Sequence, residues 1–85
     1  MGTLTAVTAG EAGVKLISGL TSKEAEGVTL VEPAESGWLV VVEVVEDRRI
    51  PSSGDILALY EADLDKEGNL LSYRRKARYR RGTGG

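Results

Sequence analysis

Carboxylates are the only side chains in this 85-residue sequence that offer familiar acid–base or metal chemistry, because it contains neither histidine nor cysteine. Their absence removes the commonest general base, the thiolate metal ligands and the usual nucleophile systems. The acids form two clusters: Glu43, Glu46 and Asp47, and Glu61, Asp63 and Asp65. Such groups can pair for proton transfer or bind a hard cation. We prefer the simpler interpretation, in which they line a solvated face or pair with arginines of the same chain.

A basic segment is the second charged feature. Residues 1–72 contain all 13 acids and five bases, whereas residues 73–85 contain six bases and no acid. Alternate cations of a strand project from one face, which predicts a ladder of Arg74, Lys76, Arg78 and Arg80. The opposite face would then hold Tyr73, Arg75, Ala77 and Tyr79.

Three roles are open to this ladder: docking on an acidic protein surface, pairing with acids of the same chain, and binding nucleic-acid phosphates while tyrosines stack on bases. Tyr73 and Tyr79 are predicted on the face opposite the ladder, and the rest of the chain is acidic. We therefore favour the acidic protein surface, with nucleic acid as the alternative.

Length and composition indicate one small domain with an aliphatic core. The chain has 41% apolar residues, one Trp, three Tyr and no Phe, and a chain this short builds a single hydrophobic core. No apolar stretch approaches the roughly 18 residues that a bilayer span requires. The N-terminus also lacks the charged and apolar regions of a signal peptide. These features, with the lack of cysteine, predict a cytoplasmic protein.

The periodicity of apolar residues predicts one helix and four strands. Spacings of three and four indicate a helix over residues 3–20, capped by Thr3 or Thr5. Gly10, Gly13 and Gly19 weaken this prediction because glycine disfavours helix. Residues 21–27 are interpreted as a polar connector. The predicted strands cover residues 28–32, 38–46, 55–64 and 70–80.

Residues 38–46 form the most strand-like segment. One face would carry Trp38, Val40, Val42, Val44 and Glu46, and the other Leu39, Val41, Glu43 and Val45. Both faces are largely apolar, which predicts a central strand covered on at least one side, with Trp38 as a core anchor. Pro51 interrupts the following loop. The run Asp65–Gly68 indicates a hairpin in which Gly68 takes the left-handed conformation.

Short connections favour antiparallel neighbours, so we expect an α+β domain with the helix packed on a four-stranded antiparallel meander. Closing the hairpin at Gly68 places Glu61 near the level of residues 72–74, so acids would face bases and support the register. Residues 82–85 are predicted to be a flexible tail.

The segment from Gly37 to Arg81 resembles the gas-vesicle protein O family. The similarity lies in an ordered set of short elements: Gly37-Trp38, residues 42–46, residues 49–51, residues 55–58, Tyr60-Glu61, Leu64-Asp65, Gly68, residues 73–75 and residues 78–81. These elements cover about half of the chain. Residues 1–36 resemble the family in general character, and Ala62 departs from the larger residue expected there.

This resemblance implies a role in gas-vesicle assembly without enzymatic activity or cofactor. It implies partners among the other accessory proteins and, directly or through them, the hydrophobic shell protein, with action as a scaffold or chaperone. Regulation of gas-vesicle genes by nucleic-acid binding is the alternative. The expected location is the cytoplasm or the vesicle surface. The candidate partner-binding residues are Arg74, Lys76, Arg78 and Arg80, and the candidate structural residues are Trp38, Pro51, Tyr60, Gly68, Tyr73 and Tyr79.

Overall fold

The computed structural model describes residues 4–82 and shows one helix followed by a four-stranded sheet. The elements are α1 (Ala6–Thr21), β1 (Glu24–Ala34), β2 (Gly37–Asp47), β3 (Ile56–Asp65) and β4 (Leu70–Arg80), with a short 3₁₀ helix at Ser52–Gly54. The strands pair in chain order and each pair is antiparallel. The predicted α+β meander is confirmed. Of the predicted tail, Gly82 lies in a turn and residues 83–85 fall outside the described residues.

A reciprocal hydrogen-bonded cap starts α1. The Thr8 amide donates to Thr5 Oγ1 at 3.3 Å, and the Thr5 amide donates to Thr8 Oγ1 at 2.8 Å, so both side chains satisfy amides that the helix leaves unpaired. Thr5 is therefore the capping residue and the helix begins at Ala6, whereas Thr3, the other predicted cap, lies outside the described residues. Within residues 4–82, no helix combines the length and apolar character needed to cross a bilayer.

The glycines of α1 allow a close approach to the sheet. Gly10 and Gly13 are buried, and a Cβ atom at Gly13 would lie 2.6 Å from Val40 Cγ1. A side chain at Gly13 would therefore force Val40 or the helix to shift, so glycine is favoured where the helix crosses β2. Glycine disfavours helix formation, and here that cost is offset by the close packing that it permits.

Alternation along β2 divides its side chains between two faces of the sheet. Val40, Val42 and Val44 are fully buried beneath α1, in one cluster with helix residues Ala9 and Ile17. Trp38 packs, partly buried, against the same cluster. We call this side the helix face. The other side, which we call the open face, carries Val41, Val45 and Leu57 together with the acids Glu43 and Glu61.

Strand β1 is longer than predicted and begins within the segment interpreted as a connector. Polar residues there are compatible with a strand because β1 is an edge strand, whose side chains reach water. Glu24 and Glu26 also find cationic partners in Arg48 and Arg81. Bulges at Glu26 and Thr29 bend the strand and displace its alternation.

The turn between β3 and β4 is held by the Asp65 side chain. Its Oδ1 atom accepts hydrogen bonds from the amides of Glu67 and Asn69, each at 2.9 Å. Gly68 has a φ of 94°, the left-handed region that glycine enters without strain. Leu4 packs against Gly68, and the Leu4 amide donates to the Lys66 carbonyl at 3.0 Å. The residues leading into α1 are thereby attached to this hairpin.

Candidate protein-binding surface

The basic residues of β4 are divided between the two faces of the sheet. In the pairing with β3, Ala77 lies opposite Leu59 and Arg75 lies opposite Tyr60, which leaves Lys76 as the extra residue of a bulge. An extra residue reverses the alternation of the side chains beyond it. The predicted single ladder is therefore wrong: Arg74 projects from the open face, whereas Arg78 and Arg80 lie on the helix face.

Two of the cations share one acid on the helix face. Arg75 Nη1 lies 3.2 Å from Glu46 Oε2, and Arg78 Nε lies 3.4 Å from Glu46 Oε1. Glu46 belongs to β2, so both contacts pass over the intervening strand β3. The Glu46 side chain is 15% exposed, while those of Arg75 and Arg78 are about half exposed. The cations therefore lie over the acid and face the solvent.

The open face repeats this arrangement around Glu61 of β3. Arg74 Nη2 lies 2.6 Å from Glu61 Oε1, and Lys76 Nζ lies 3.8 Å from Glu61 Oε2. Glu61 pairs in register with Arg74, within the range of residues 72–74 expected from the hairpin. Its side chain is 12% exposed, whereas those of Arg74 and Lys76 are 68% and 51% exposed.

The outcome is a surface with more positive than negative charge on both faces of one edge strand. Arg74, Arg75, Lys76 and Arg78 surround two shared carboxylates, so two positive charges are left over. We call these four residues the cationic edge. Because the shared acids are mostly covered, a molecule that approaches β4 meets the guanidinium and ammonium groups first.

The tyrosines of β4 also lie on opposite faces. Tyr73 is on the helix face, where its ring centroid lies 6.4 Å from that of Tyr60. Tyr79 is on the open face, and its hydroxyl donates a hydrogen bond to Glu43 of β2. Burial and this hydrogen bond raise the pKa of Tyr79 to about 12. The two rings therefore do not form one stacking platform.

The acidic clusters identified in the sequence are separated by the sheet. Glu43 lies on the open face with Tyr79, whereas Glu46 lies on the helix face with Arg75 and Arg78. Asp47 pairs with Arg49, whose Nη2 is 2.8 Å from Asp47 Oδ2. In the second cluster, Asp63 accepts from Ser72, and Asp65 holds the hairpin turn. Among residues 4–82, no group of three or more acids is arranged to hold a metal ion.

Comparison with known proteins relates this geometry to a family. A family model described as "Gas vesicle synthesis protein GvpO" matches residues 2–85. The chain belongs to this family. The resemblance found in the short elements of residues 37–81 is thereby confirmed, and the GvpO match extends it over the N-terminal helix.

Three relatives within the family share 41–49% of aligned residues with this chain. Gas vesicle protein O of Streptomyces sp. (strain CB03234) is 49% identical over 63 residues, which cover 74% of this chain and 49% of that protein. Gas vesicle protein O1 of Halobacterium salinarum is 41% identical over 63 residues, covering 74% and 53%. Gas vesicle protein O of Haloferax mediterranei is 42% identical over 64 residues, covering 74% and 46%. This chain thus spans about half the length of these relatives. No solved structure matches it.

A buried acid that the sequence analysis did not single out organises one end of this GvpO-family sheet. Asp55, directly before β3, is 1% exposed. Its Oδ1 accepts from the Arg49 amide at 2.7 Å, and Oδ2 lies 3.3 Å from Arg81 Nη2 and 3.6 Å from Arg48 Nη1. The Arg49 hydrogen bond, assisted by Arg81 and Arg48, lowers the pKa of Asp55 although burial acts in the opposite direction.

Arg48 and Arg81 extend this network to the first strand. Arg48 also pairs with Glu24, and Arg81 Nη1 lies 3.2 Å from Glu26 Oε1. The network therefore joins β1, the β2–β3 loop and the residue that follows β4. Arg81 is accordingly separate in role from the cationic edge. In the sequence, the only sign of this buried acid is the position of Asp55 between Gly54 and the apolar start of β3.

Pro51 lies on the outer side of this loop. It follows a cis peptide bond from Ile50 and lines an open depression of about 380 Å³ with Arg49, Ile50, Ser53, Gly54 and Arg80. Arg80, the last member of the predicted ladder, thus lies beside this loop.

Proposed function

We propose that this chain acts in gas-vesicle formation as a non-enzymatic accessory module that binds acidic protein surfaces through its cationic edge. Membership of the GvpO family supports the process. The arrangement of β4 supports the mode of action. The proposed partners are other gas-vesicle accessory proteins and, directly or through them, the shell protein, with the chain serving as scaffold or chaperone. The proposed location is the cytoplasm and the surface of the growing vesicle.

The observation that carries the proposal is the sharing of each acid by two cations. Glu61 is bound by Arg74 and Lys76, and Glu46 is bound by Arg75 and Arg78, so neither acid neutralises its surroundings. One cation is enough to offset the charge of each acid, so two of the four cations are left over and can pair with carboxylates of another protein.

The alternative, regulation by nucleic-acid binding, has weaker support. Non-specific binding of single strands combines a basic track with aromatic rings on which successive bases stack. Here Tyr73 and Tyr79 point to opposite faces, and the Tyr79 hydroxyl is engaged by Glu43.

The proposal assigns no chemical step to the chain. The sequence contains neither histidine nor cysteine. The structure lowers the pKa of both Asp55 and Asp65, through hydrogen bonds from backbone amides to each carboxylate. A carboxyl group that acts as a general acid near neutral pH requires a raised pKa.

The test uses a substitution that removes the surplus charge and preserves a partner for each acid. The double variant Lys76→Gln/Arg78→Gln leaves Arg74 on Glu61 and Arg75 on Glu46. The matched control is Lys15→Gln/Lys66→Gln, which removes the same charge from exposed positions in α1 and the hairpin turn. Each tagged protein is purified from cells that express a complete gas-vesicle gene cluster, at low and moderate salt.

We expect accessory or shell proteins to co-purify with the wild type and with the control. The amount that co-purifies with the β4 variant should fall by more than half. Higher salt should weaken the wild-type complex, because screening acts on exposed charges. Equal recovery by the β4 variant would overturn the proposed surface. Recovery of nucleic acid instead of protein by the wild type would support the regulatory alternative.

A further inference from the structure

The two edges of the sheet carry opposite charge. Strand β1 contains Glu24, Glu26 and Glu32 and no basic residue, whereas β4 contains five bases and no acid. Because the strand order is β1-β2-β3-β4, these two strands are the outer edges. Each is 11 residues long. One molecule therefore presents an acidic edge and a basic edge of equal length on opposite sides.

The strand directions allow one edge to meet the other in a neighbouring copy. All three strand pairs are antiparallel, so in a four-stranded sheet β1 and β4 run in opposite directions. A second copy displaced sideways, without rotation, would bring its β1 beside β4 in an antiparallel orientation. The alternation of strand direction would then continue from one molecule to the next.

The charged side chains would also meet on the same face. Glu32 is level with Leu39, and Arg74 is level with Glu61, so both belong to the open face. Within residues 4–82, Glu32 makes no ion pair, whereas Glu24 and Glu26 are engaged by Arg48 and Arg81. Glu32 is thus the carboxylate of β1 that is available to a cation of another molecule, and it is exposed.

We infer that the cationic edge of one copy binds the acidic β1 edge of a second copy, so that the chain self-associates head to tail. This inference rests on the proposed role of β4 as a docking surface and names a second copy as one partner. The contact joins two different surfaces, so each added copy leaves one β1 and one β4 available. Bulges in both strands and Pro33 in β1 limit continuous backbone pairing. The contact therefore depends on charged side chains and on salt.

Two variants, each altered at a single edge, test this arrangement. Glu32→Lys reverses the charge of the one acid of β1 that makes no ion pair within residues 4–82, and leaves β4 intact. Lys76→Gln/Arg78→Gln removes the surplus charge of β4, so that Glu61 alone offsets Arg74, and leaves β1 intact. Glu11→Lys introduces the same charge change on the exposed side of α1 and is the control. Sedimentation velocity of the purified full chain gives the weight-average mass across protein concentrations at low and moderate salt, and circular dichroism checks that each variant is folded.

We expect the mass of the wild type and of Glu11→Lys to rise with concentration at low salt and to fall as salt is added. Each edge variant alone should sediment as a single chain. A mixture of the two should form a species of about twice that mass and no larger, because one intact β4 meets one intact β1. A wild type that stays monomeric at low salt overturns the inference, as does a mixture that does not associate.

The two proposals fail separately. If Glu32→Lys abolishes self-association while recovery of gas-vesicle proteins persists, the edge-to-edge contact is supported and the other partners use β4 independently. If the wild type stays monomeric but recovers those proteins, the self-association inference is overturned and the proposed function stands. If the wild type associates but recovers no gas-vesicle protein, the proposed partners are wrong and the contact between copies stands.

Discussion

The hydroxyl of Tyr79 on β4 donates a hydrogen bond to the carboxylate of Glu43 on β2, across the strand that separates them. Ionisation of this tyrosine would place a phenolate beside a carboxylate. Burial first and the Glu43 contact second raise the pKa of Tyr79 to about 12, from an ordinary value of 10.0. The neutral phenol is therefore favoured in the folded state.

The first prediction concerns this titration. Because the folded pKa lies above the unfolded one, the stability that Tyr79 contributes is fully present below about pH 10 and is lost as the pH rises towards 12. In an ultraviolet titration of tyrosinate, Tyr79→Phe should remove a component near pH 12, and Glu43→Gln should shift that component to lower pH. Loss of a component near pH 10 in Tyr79→Phe would contradict the hydrogen bond described here.

The second prediction concerns Asp55. Replacement by Asn removes the charge that Arg81 and Arg48 face, and so should lower the melting temperature at neutral pH. Asp63→Asn, which alters one hydrogen bond to Ser72 on a less buried side chain, should lower it less.

The same substitution should alter the response to acid. The lowered pKa of Asp55 means that its stabilisation is present above its unfolded value near 3.8 and is lost as pH falls through the folded value. Melting temperatures measured from pH 7 downwards should therefore converge for wild type and Asp55→Asn in strong acid. Parallel curves over the whole range would show that the Asp55 charge contributes nothing.

The third prediction compares two glycines of α1. Gly19→Ala should stabilise the fold by up to about 1 kcal/mol, because Gly19 is exposed with open space around it and alanine favours helix. Gly13→Ala should destabilise it by about 1–3 kcal/mol, since the new methyl group overlaps Val40. Urea denaturation measures both effects.

Val40→Ala in the Gly13→Ala background provides the check on this cause. Removal of the two Val40 methyl groups opens space for the added methyl group, so the two changes should together cost less than the sum of their separate effects. Simple additivity would mean that the helix does not approach β2 as closely as the structure shows.

The fourth prediction concerns the N-terminal cap of α1. Thr5→Ala removes the side chain that accepts from the Thr8 amide and should cost about 1 kcal/mol. For a domain of this size the loss corresponds to roughly 4–8 °C in melting temperature. Thr5→Ser keeps the hydroxyl and should remain close to the wild type. If the serine variant falls as far as the alanine variant, the hydroxyl is not the source of the stability.

Local patterns were sufficient to predict the fold. The density of β-branched residues from Trp38 to Glu46 predicted a central strand, which is β2, and the Asp65–Gly68 run predicted the hairpin between β3 and β4. Both signals lie within a few residues of the structure that they specify. Antiparallel pairing of short-linked strands then left few arrangements open.

The division of the basic ladder was not predictable in the same way. Arg74, Lys76, Arg78 and Arg80 occupy alternate positions, and nothing in the sequence marks Lys76 as the extra residue of a bulge. The bulge appears only in the pairing with β3, where Leu59 lies opposite Ala77 and Tyr60 lies opposite Arg75. Asp55 presents the same difficulty, since its burial and charge partners depend on Arg81, far away in the chain. Long-range pairing determines both features.

The hydrogen bond from the Leu4 amide to the Lys66 carbonyl makes one proton sensitive to two folding events. Exchange of that proton with solvent deuterium requires that the segment before α1 separates from the β3–β4 turn. Slow exchange at Leu4 would therefore report that the hairpin is closed and that the start of the helix is docked at the same time. A single amide resonance can in this way follow the joining of the first and last parts of the domain.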